Sequence, residues 1–162
     1  MLVRPISEAD WPAFYPVFRD VVAAGDTYAY PEQLSSSAAH DLWVEPPPGI
    51  TVVAVSDDGV VLGSAKAGPN RPARGSHVAT ASFMVAERAR GLGVGRTLGE
   101  WAVAWAREQG YAAMQFNAVV ETNLAAVHLW RELGFEVVGT VPEAFSSRSH
   151  GRVGLHVMHR HL

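Results

Sequence analysis

Residues 87–98 read ERARGLGVGRTL, in which three glycines occupy every second position and arginines lie on both sides. Gly91, Gly93 and Gly95 remove most side chains from one short segment, which is unfavourable for a helix or a strand alone. The apolar run 77–85, HVATASFMV, precedes the glycines, and residues 94–105 follow with apolar side chains at helical spacing. A strand, a glycine loop and a helix in this order are typical of a site where backbone N–H groups and the helix dipole hold a phosphate.

The spacing of the glycines excludes two common phosphate-binding loops. A Walker A loop needs glycine five residues before Gly95 and lysine directly after it, but Arg90 and Arg96 stand there. A dinucleotide-binding G-x-G-x-x-G loop needs a glycine at a position that here holds arginine or leucine. The remaining pattern, Arg90-x-x-Gly93-x-Gly95 with Arg88 and Arg96 nearby, predicts three guanidinium groups around a diphosphate that carries a further phosphate. A plain glycine-rich turn between strand and helix is the alternative.

Outward from this loop, hydrophobic periodicity and turn residues predict the other elements. A first helix is expected to start in a capping-box-like arrangement at Ser7 and to end at Gly25, and a second helix is expected from about Pro31 to Trp43. The strands are expected at 2–6, 50–56, 60–68, 77–85, 111–120, 135–141 and 153–162, the later helices from Val94 to Gly110 and at 123–133, and a polar loop at 143–152.

The order of these elements predicts a single domain over residues 1–162 of mixed α/β (α+β) class. One strand and two helices are followed by three antiparallel strands, and then by helix, strand, helix and two strands. The alternation in the second half requires at least one parallel crossover in a mostly antiparallel sheet. No repeat or linker divides the chain.

Composition excludes several kinds of function. The chain has 162 residues, a formal net charge of −3 and no cysteine, so disulfides, thiolate zinc sites and a cysteine nucleophile are ruled out. The charge gives no overall positive field that would attract nucleic acid or an anionic membrane. No segment resembles a signal peptide or reaches the roughly 20 apolar residues that span a bilayer. The seven histidines lack metal-ligand spacing. We therefore expect a cytoplasmic protein with no metal, no nucleic-acid partner and no membrane association.

Two linked motifs resemble the GNAT superfamily of N-acetyltransferases. The segment SFMVAERARGLGVGRTLGEWAVAWA is similar to its R-x-x-G-x-G/A acetyl-CoA signature, which lies between a strand and a helix. The segment NLAAVHLWRELGF at 123–135 is similar to a second family motif, N-x-x-A-x-x-L-Y-x-x-x-G-F. The stretch FNAVVETNLAAVHLW also resembles a subgroup that acetylates small amino acids or their analogues, such as the azetidine-carboxylate acetyltransferases. The resemblance covers nearly the whole chain and implies the GNAT fold, with helices flanking the sheet.

The resemblance implies a set of acetyl-CoA-binding residues. The backbone around Met84 and Val85 would pair with the pantetheine arm, and an N–H near Val85 would polarise the thioester carbonyl. Thr97 would add a hydroxyl at the start of the helix, and Asn123 would hydrogen-bond the cofactor, although an asparagine there is also an ordinary helix N-cap. The pyrophosphate would be wrapped by the main chain of Arg90, Gly91, Gly93, Val94, Gly95 and Arg96.

The sequence identifies fewer candidate residues for binding and activating the acceptor amine than for binding acetyl-CoA. Asn117 interrupts an apolar strand, so we expect a buried amide with either a substrate-binding or catalytic role or a structural hydrogen bond. Tyr28 and Tyr30 would border the acceptor pocket or close the core. The family often has a tyrosine acid where this chain has Trp130, and no general base is evident, since Glu87 and Glu121 are equally compatible with solvated positions.

The resulting expectation is an N-acetyltransferase that moves acetyl from acetyl-CoA to the amine of a small molecule by direct attack in a ternary complex. Two alternatives stay open, namely acetylation of a protein N-terminus or lysine and an acyl-CoA-sensing domain without turnover. The resemblance also allows a homodimer.

Overall fold

The computed structural model describes residues 1–162 and contains seven strands, four α-helices and two short 3₁₀ turns. In chain order the strands and helices are β1 (Leu2–Pro5), α1 (Trp11–Ala24), α2 (Ser36–Trp43), β2 (Ile50–Val55), β3 (Val61–Pro69), β4 (Val78–Val85), α3 (Val94–Glu108), β5 (Ala113–Val120), α4 (Leu124–Glu132), β6 (Glu136–Ser147) and β7 (Gly151–His161).

All seven strands form one sheet in the order β1-β2-β3-β4-β5-β7-β6. Every neighbouring pair is antiparallel except β4 and β5, which are parallel. This confirms the expected order of elements and the parallel crossover through α3. The parallel pair is short, because only Val78–Ala113 and Ala79–Met114 are in register. Beyond those two pairs the strands separate and leave a gap in the middle of the sheet.

The pairing of β4 with β3 determines which backbone groups face that gap. Directly after β4, the Ala86 N–H donates to the Leu62 carbonyl at 2.8 Å. Because hydrogen-bonded and non-hydrogen-bonded pairs alternate in an antiparallel ladder, the even-numbered residues of β4 are paired with β3. The N–H and C=O groups of Phe83 and Val85 therefore point away from β3 and into the gap.

Helices cover both faces of the sheet. On one face the Trp43 indole at the end of α2 donates to the Ser64 hydroxyl of β3 at 2.8 Å. On the other face the Trp130 ring of α4 packs against Phe83 of β4, with 4.7 Å between ring centroids. Ser64 lies opposite Met84, whose side chain is on the α1–α2 face, so successive residues of β4 point alternately to the two layers.

Both N-terminal helices start later than expected. The Asp10 carboxylate accepts hydrogen bonds from the Ser7 N–H at 2.8 Å and from the Ser7 hydroxyl at 2.6 Å, which holds residues 7–10 in a turn before α1 begins. The expected start of the second helix at Pro31 is wrong. Ser35 is the N-cap of α2, and its hydroxyl oxygen accepts the Ala38 N–H at 3.1 Å.

The expected polar loop at 143–152 is also wrong. Strand β6 continues to Ser147 and pairs with β7 through Phe145 opposite Val153, so only residues 148–150 form the turn. Two register irregularities absorb the extra residues of β6. The segment is polar because β6 is the last strand of the sheet and most of it faces solvent. None of the helices combines the length and hydropathy required to cross a membrane.

Candidate functional site

The glycine loop leads into α3 with a row of free backbone donors. Gly91 and Gly93 both have φ of +79°, in the left-handed region that favours glycine. Gly93 is the N-cap of α3, and no side chain caps the helix there. The first N–H groups of a helix have no partner within the helix, and the loop supplies none. The donors left without a protein acceptor are the N–H groups of Gly91, Gly93, Val94, Gly95 and Arg96.

The space around these donors fits a phosphate group. A Cβ built on Gly91 or Gly93 would meet no protein atom within 4 Å. At Gly95 the nearest atom is Leu129 Cδ2 at 3.5 Å, which is an ordinary contact. Packing within the protein therefore does not require these glycines. Left-handed backbone explains two of them, and an open, donor-rich surface for an anion remains.

The expected cluster of three guanidinium groups does not form. Arg88 turns back and donates to the Val61 carbonyl at 2.8 Å. Arg96 is paired with Glu132 of α4. Arg90 is exposed and makes no ion pair, so it is the one arginine of the loop that is free to meet a bound anion. Thr97 is also engaged, since its hydroxyl donates to the Gly93 carbonyl at 3.2 Å. The backbone donors outnumber the available cations.

The free edge of β4 begins beside this loop. The Met84 backbone belongs to a hydrogen-bonded pair with Ser64 of β3 and its side chain is buried, so its N–H and C=O are not available to the pantetheine arm that the sequence places around Met84 and Val85. Val85 has the opposite orientation, and its N–H and C=O face the gap. A cleft of about 540 Å³ runs between α1 and residues 85–90 and joins Val85 to the glycine loop.

Asn123 has a clear structural role at the start of α4. Its side-chain oxygen accepts the Ala126 N–H at 3.3 Å, which makes it the N-cap of that helix. The N–H₂ of the same amide donates to no protein atom, so the cap leaves donors available.

A second cavity of about 380 Å³ lies on the α1–α2 face, next to the gap. Most of its lining comes from the C-terminal end of β3, from the middle of β4 and from the segment that joins α2 to β2. Its polar lining groups include the Lys66 ammonium, the Glu45 carboxylate and the Ser82 hydroxyl, so it can hold a molecule that carries charged or hydrogen-bonding groups. The residues that line it are Tyr30, Glu45, Pro46, Pro47, Pro48, Gly49, Lys66, Ala67, Gly68, Pro69, Thr80, Ala81, Ser82 and Asn117.

Asn117 lies at this cavity, but it is not the buried amide that the sequence predicts. Its side chain is exposed, because β5 has already separated from β4 at that position. Its Nδ2 donates to Asn70 Oδ1 at 2.6 Å, and its Oδ1 accepts a hydrogen bond from Gln115 Nε2 at 2.7 Å. These contacts hold the amide at the mouth of the cavity.

Tyr28 and Tyr30 occupy different places in the segment between α1 and α2. Their rings are stacked with centroids 5.4 Å apart, and Tyr30 also stacks on Phe18 of the core. Tyr30 lines the 380 Å³ cavity. The Tyr28 hydroxyl lies instead at the gap, where it donates to the Phe83 carbonyl at 2.7 Å and accepts the Phe83 N–H at 2.9 Å.

Sequence reasoning missed an ion pair in the same cavity. Lys66 Nζ lies 2.7 Å from Glu45 Oε1 and also donates to the Leu42 carbonyl at 2.8 Å. A signal was present, because Lys66 is the only lysine of the chain and lies on a strand adjacent to the expected site. Glu45 could not be found in this way, because its position depends on how the three following prolines lead the chain across β3.

Trp130 and the two candidate bases, Glu87 and Glu121, lie outside the acceptor cavity. Trp130 is buried and packs against Phe83 and Phe116, so it is a core aromatic. Glu121 accepts a hydrogen bond from the Gly154 N–H of β7 and does not line the cavity, and Glu87 is exposed on the cleft beside α1.

Comparison with known proteins places this geometry in a family. Residues 5–135 match the Acetyltransferase (GNAT) family. A GCN5-related N-acetyltransferase from Kribbella flavida is 58% identical and superposes with a TM-score of 0.97, over 99% of this chain and 97% of that chain. A GNAT superfamily phosphinothricin acetyltransferase from Sinorhizobium meliloti, solved in complex with acetyl-CoA, is 25% identical with a TM-score of 0.87, over 99% and 88% of the two chains.

A curated relative adds information about the subgroup. An L-methionine sulfoximine/L-methionine sulfone acetyltransferase from Pseudomonas paraeruginosa is 32% identical over 146 residues, which cover 87% of this chain and 83% of that protein. This similarity agrees with the subgroup for small amino acids and their analogues that the sequence resembles. The chain therefore belongs to the GNAT acetyltransferase family and is an acetyl-CoA-dependent N-acetyltransferase.

Proposed function

We propose that this enzyme acetylates the amine of a small polar molecule, an amino acid or an amino-acid analogue. One observation carries the proposal: a cavity of about 380 Å³ with charged and polar lining groups adjoins the edge of β4 directly after β4 and β5 separate. The names of two similar proteins support the same substrate class, since one acts on methionine sulfoximine and sulfone and the other on phosphinothricin.

The residues of the loop and of β4 fit the cosubstrate. The free N–H groups from Gly91 to Arg96 would hold its diphosphate, with Arg90 as the available cation. Val85 would pair with the pantetheine arm through its free N–H and C=O, as a neighbouring strand would. The amide N–H₂ of Asn123 is a further donor for the cosubstrate. Acetyl-CoA supplies the acetyl group as a thioester, which the amine attacks directly.

The cavity offers complementary groups for an amino-acid-like acceptor. The Lys66 ammonium would attract a carboxylate or a related anionic group, while the Glu45 carboxylate would attract the ammonium and accept its proton, directly or through water. The Asn117 amide would contribute hydrogen bonds at the mouth. Because Lys66 and Glu45 already lie 2.7 Å apart, both charges are held in place before the acceptor arrives.

The proposal is tested by thiol release from acetyl-CoA with a matched panel of amines. We expect turnover with methionine sulfoximine, methionine sulfone or phosphinothricin, and none above background with peptides that offer only a free N-terminus or a lysine. Turnover confined to the peptides would instead support a protein acetyltransferase. Tight binding of CoA without release for any amine would support a sensing domain. A cytoplasmic location and a homodimer stay predictions.

A further inference from the structure

The Tyr28 hydroxyl satisfies both backbone groups of one residue on the free edge of β4. It donates to the Phe83 carbonyl at 2.7 Å and accepts the Phe83 N–H at 2.9 Å. The two residues are 55 positions apart in the chain, so this contact joins the α1–α2 segment to the gap in the sheet. A phenol at this position replaces the hydrogen bonds that a neighbouring strand would make.

Phe83 lies where the two ligand regions of the proposed function meet. On one side, Val85 borders the cleft that leads to the glycine loop. On the other side, Ala81 and Ser82 line the polar cavity. The acetyl group is attached to the cosubstrate in the cleft and must also be in contact with the acceptor amine in the cavity. Its carbonyl therefore belongs beside Phe83, which lies between the two. This step rests on the proposed function.

We propose that the Tyr28 O–H and the Phe83 N–H together form a two-donor site for the thioester oxygen. An oxygen that accepts the Phe83 N–H takes the place of the phenol oxygen, and the displaced hydroxyl then lies beside it as a second donor. No proton is transferred in this step, because the hydroxyl only donates a hydrogen bond to the oxygen on which negative charge develops. The polarising group is thus a pair of donors at Phe83, two residues before the N–H near Val85 that the family resemblance suggests.

The surroundings of Tyr28 keep a neutral hydroxyl donor beside Phe83. Its ring is held between Tyr30, at 5.4 Å, and Trp43, at 6.1 Å between centroids. Burial raises the pKa of the Tyr28 hydroxyl above its ordinary value, which keeps it protonated over the pH range in which enzymes work. Trp130 also packs against Phe83 but has no hydroxyl, so the phenol beside Phe83 is that of Tyr28.

The test compares the binding of two unreactive analogues of acetyl-CoA to wild-type enzyme and to Tyr28→Phe. In one analogue a methylene replaces the thioester sulfur and the carbonyl is kept; the other, S-ethyl-CoA, has no carbonyl. We expect Tyr28→Phe to weaken the carbonyl analogue about tenfold, the value of one hydrogen bond of about 1.4 kcal/mol, and to leave S-ethyl-CoA within about twofold. The carbonyl stretch of the bound analogue, isotope-labelled for infrared spectroscopy, should move to higher wavenumber in the variant.

A matched control is Tyr15→Phe, since the Tyr15 hydroxyl also donates to a backbone carbonyl, that of Leu34 at 2.9 Å, but lies away from β4. It should change neither affinity. Equal weakening of both analogues by Tyr28→Phe would mean that the hydroxyl only supports the strand edge, and unchanged or tighter binding of the carbonyl analogue would also overturn the proposal. If wild-type enzyme binds neither analogue, the proposed CoA site is wrong. That outcome is distinct from a failure of the Tyr28 proposal, in which wild-type enzyme still binds both analogues.

Discussion

At the scale of single residues, Gly93 and Gly110 form a natural pair for testing the phosphate-binding loop. They flank α3, their φ angles are +79° and +80°, and a Cβ on either would meet no protein atom within 4 Å. Alanine at either position should cost about 1 kcal/mol of unfolding free energy through left-handed strain. Only Gly93→Ala should also weaken CoA binding, about tenfold or more, because it disturbs donors to a charged group.

Urea denaturation and calorimetric titration with CoA measure the two effects separately. Similar losses of CoA affinity in both variants would show that the loop acts only through stability. Unchanged affinity in a folded Gly93→Ala protein would remove the loop from the binding site.

Asn117 tests the acceptor cavity. Its amide lies at the mouth and is held by Asn70 and Gln115, so Asn117→Ala removes a polar contact without opening the core. We expect the KM for the acceptor to rise about fivefold to tenfold while the affinity for CoA is kept. Steady-state kinetics and CoA titration check this. A loss of CoA affinity with an unchanged acceptor KM would place Asn117 on the cosubstrate side.

At the scale of secondary-structure elements, an ion pair between Arg4 and Asp10 joins β1 to the start of α1. Arg4 of β1 donates two hydrogen bonds of 2.7 Å to the Asp10 carboxylate, which also holds Ser7 and is nearly buried. The hydrogen bond from Arg4, followed by those from Ser7, holds the pKa of Asp10 well below its usual range. A carboxyl with a depressed pKa in the folded state stabilises the protein above its unfolded pKa, about 3.9, and this contribution is lost as pH falls further.

Asp10→Asn should therefore lower the unfolding free energy by about 2 kcal/mol near pH 7, and the difference from wild type should shrink below about pH 4. Urea denaturation at several pH values measures it. Asp20→Asn is the control, because the exposed Asp20–Arg19 pair should contribute less than about 0.5 kcal/mol. A difference that grows on acidification would contradict the assigned sign.

The sequence predicts elements better than it predicts contacts. The order of strands and helices along the chain follows from periodicity and turn residues, because those signals are local. The start of α2 was missed since Pro31 competes with Ser35 as a helix start, and only packing decides between them. The length of β6 was missed because an exposed edge strand has the composition of a loop.

In the candidate site, too, local features could be predicted from the sequence, whereas contacts between distant residues could not. The loop backbone was predictable from three glycines, whereas Arg88 and Arg96 find carbonyl and carboxylate partners that are distant in sequence. The bond between Tyr28 and Phe83, and the pair of Glu45 with Lys66, depend on how separate layers meet. No local pattern encodes such contacts.

For the molecule as a whole, the two ligand regions approach the gap from different directions. The cleft beside α1 reaches Val85, and the polar cavity reaches Ala81 and Ser82, so both ligands can be bound together. We expect initial rates at varied concentrations of both substrates to give intersecting lines, as a ternary complex requires. Parallel lines together with an acetylated side chain in the mass spectrum would indicate an acyl-enzyme instead.

The most direct measurement of the central claim is the NMR response of individual backbone amides to CoA. If free N–H groups at the start of α3 hold the diphosphate, the amide signals of Gly91, Gly93 and Gly95 should shift strongly on CoA addition and exchange more slowly with solvent. The amide of Gly110, at the other end of α3, should stay unchanged. Tight CoA binding with no response from the three loop glycines would contradict the account.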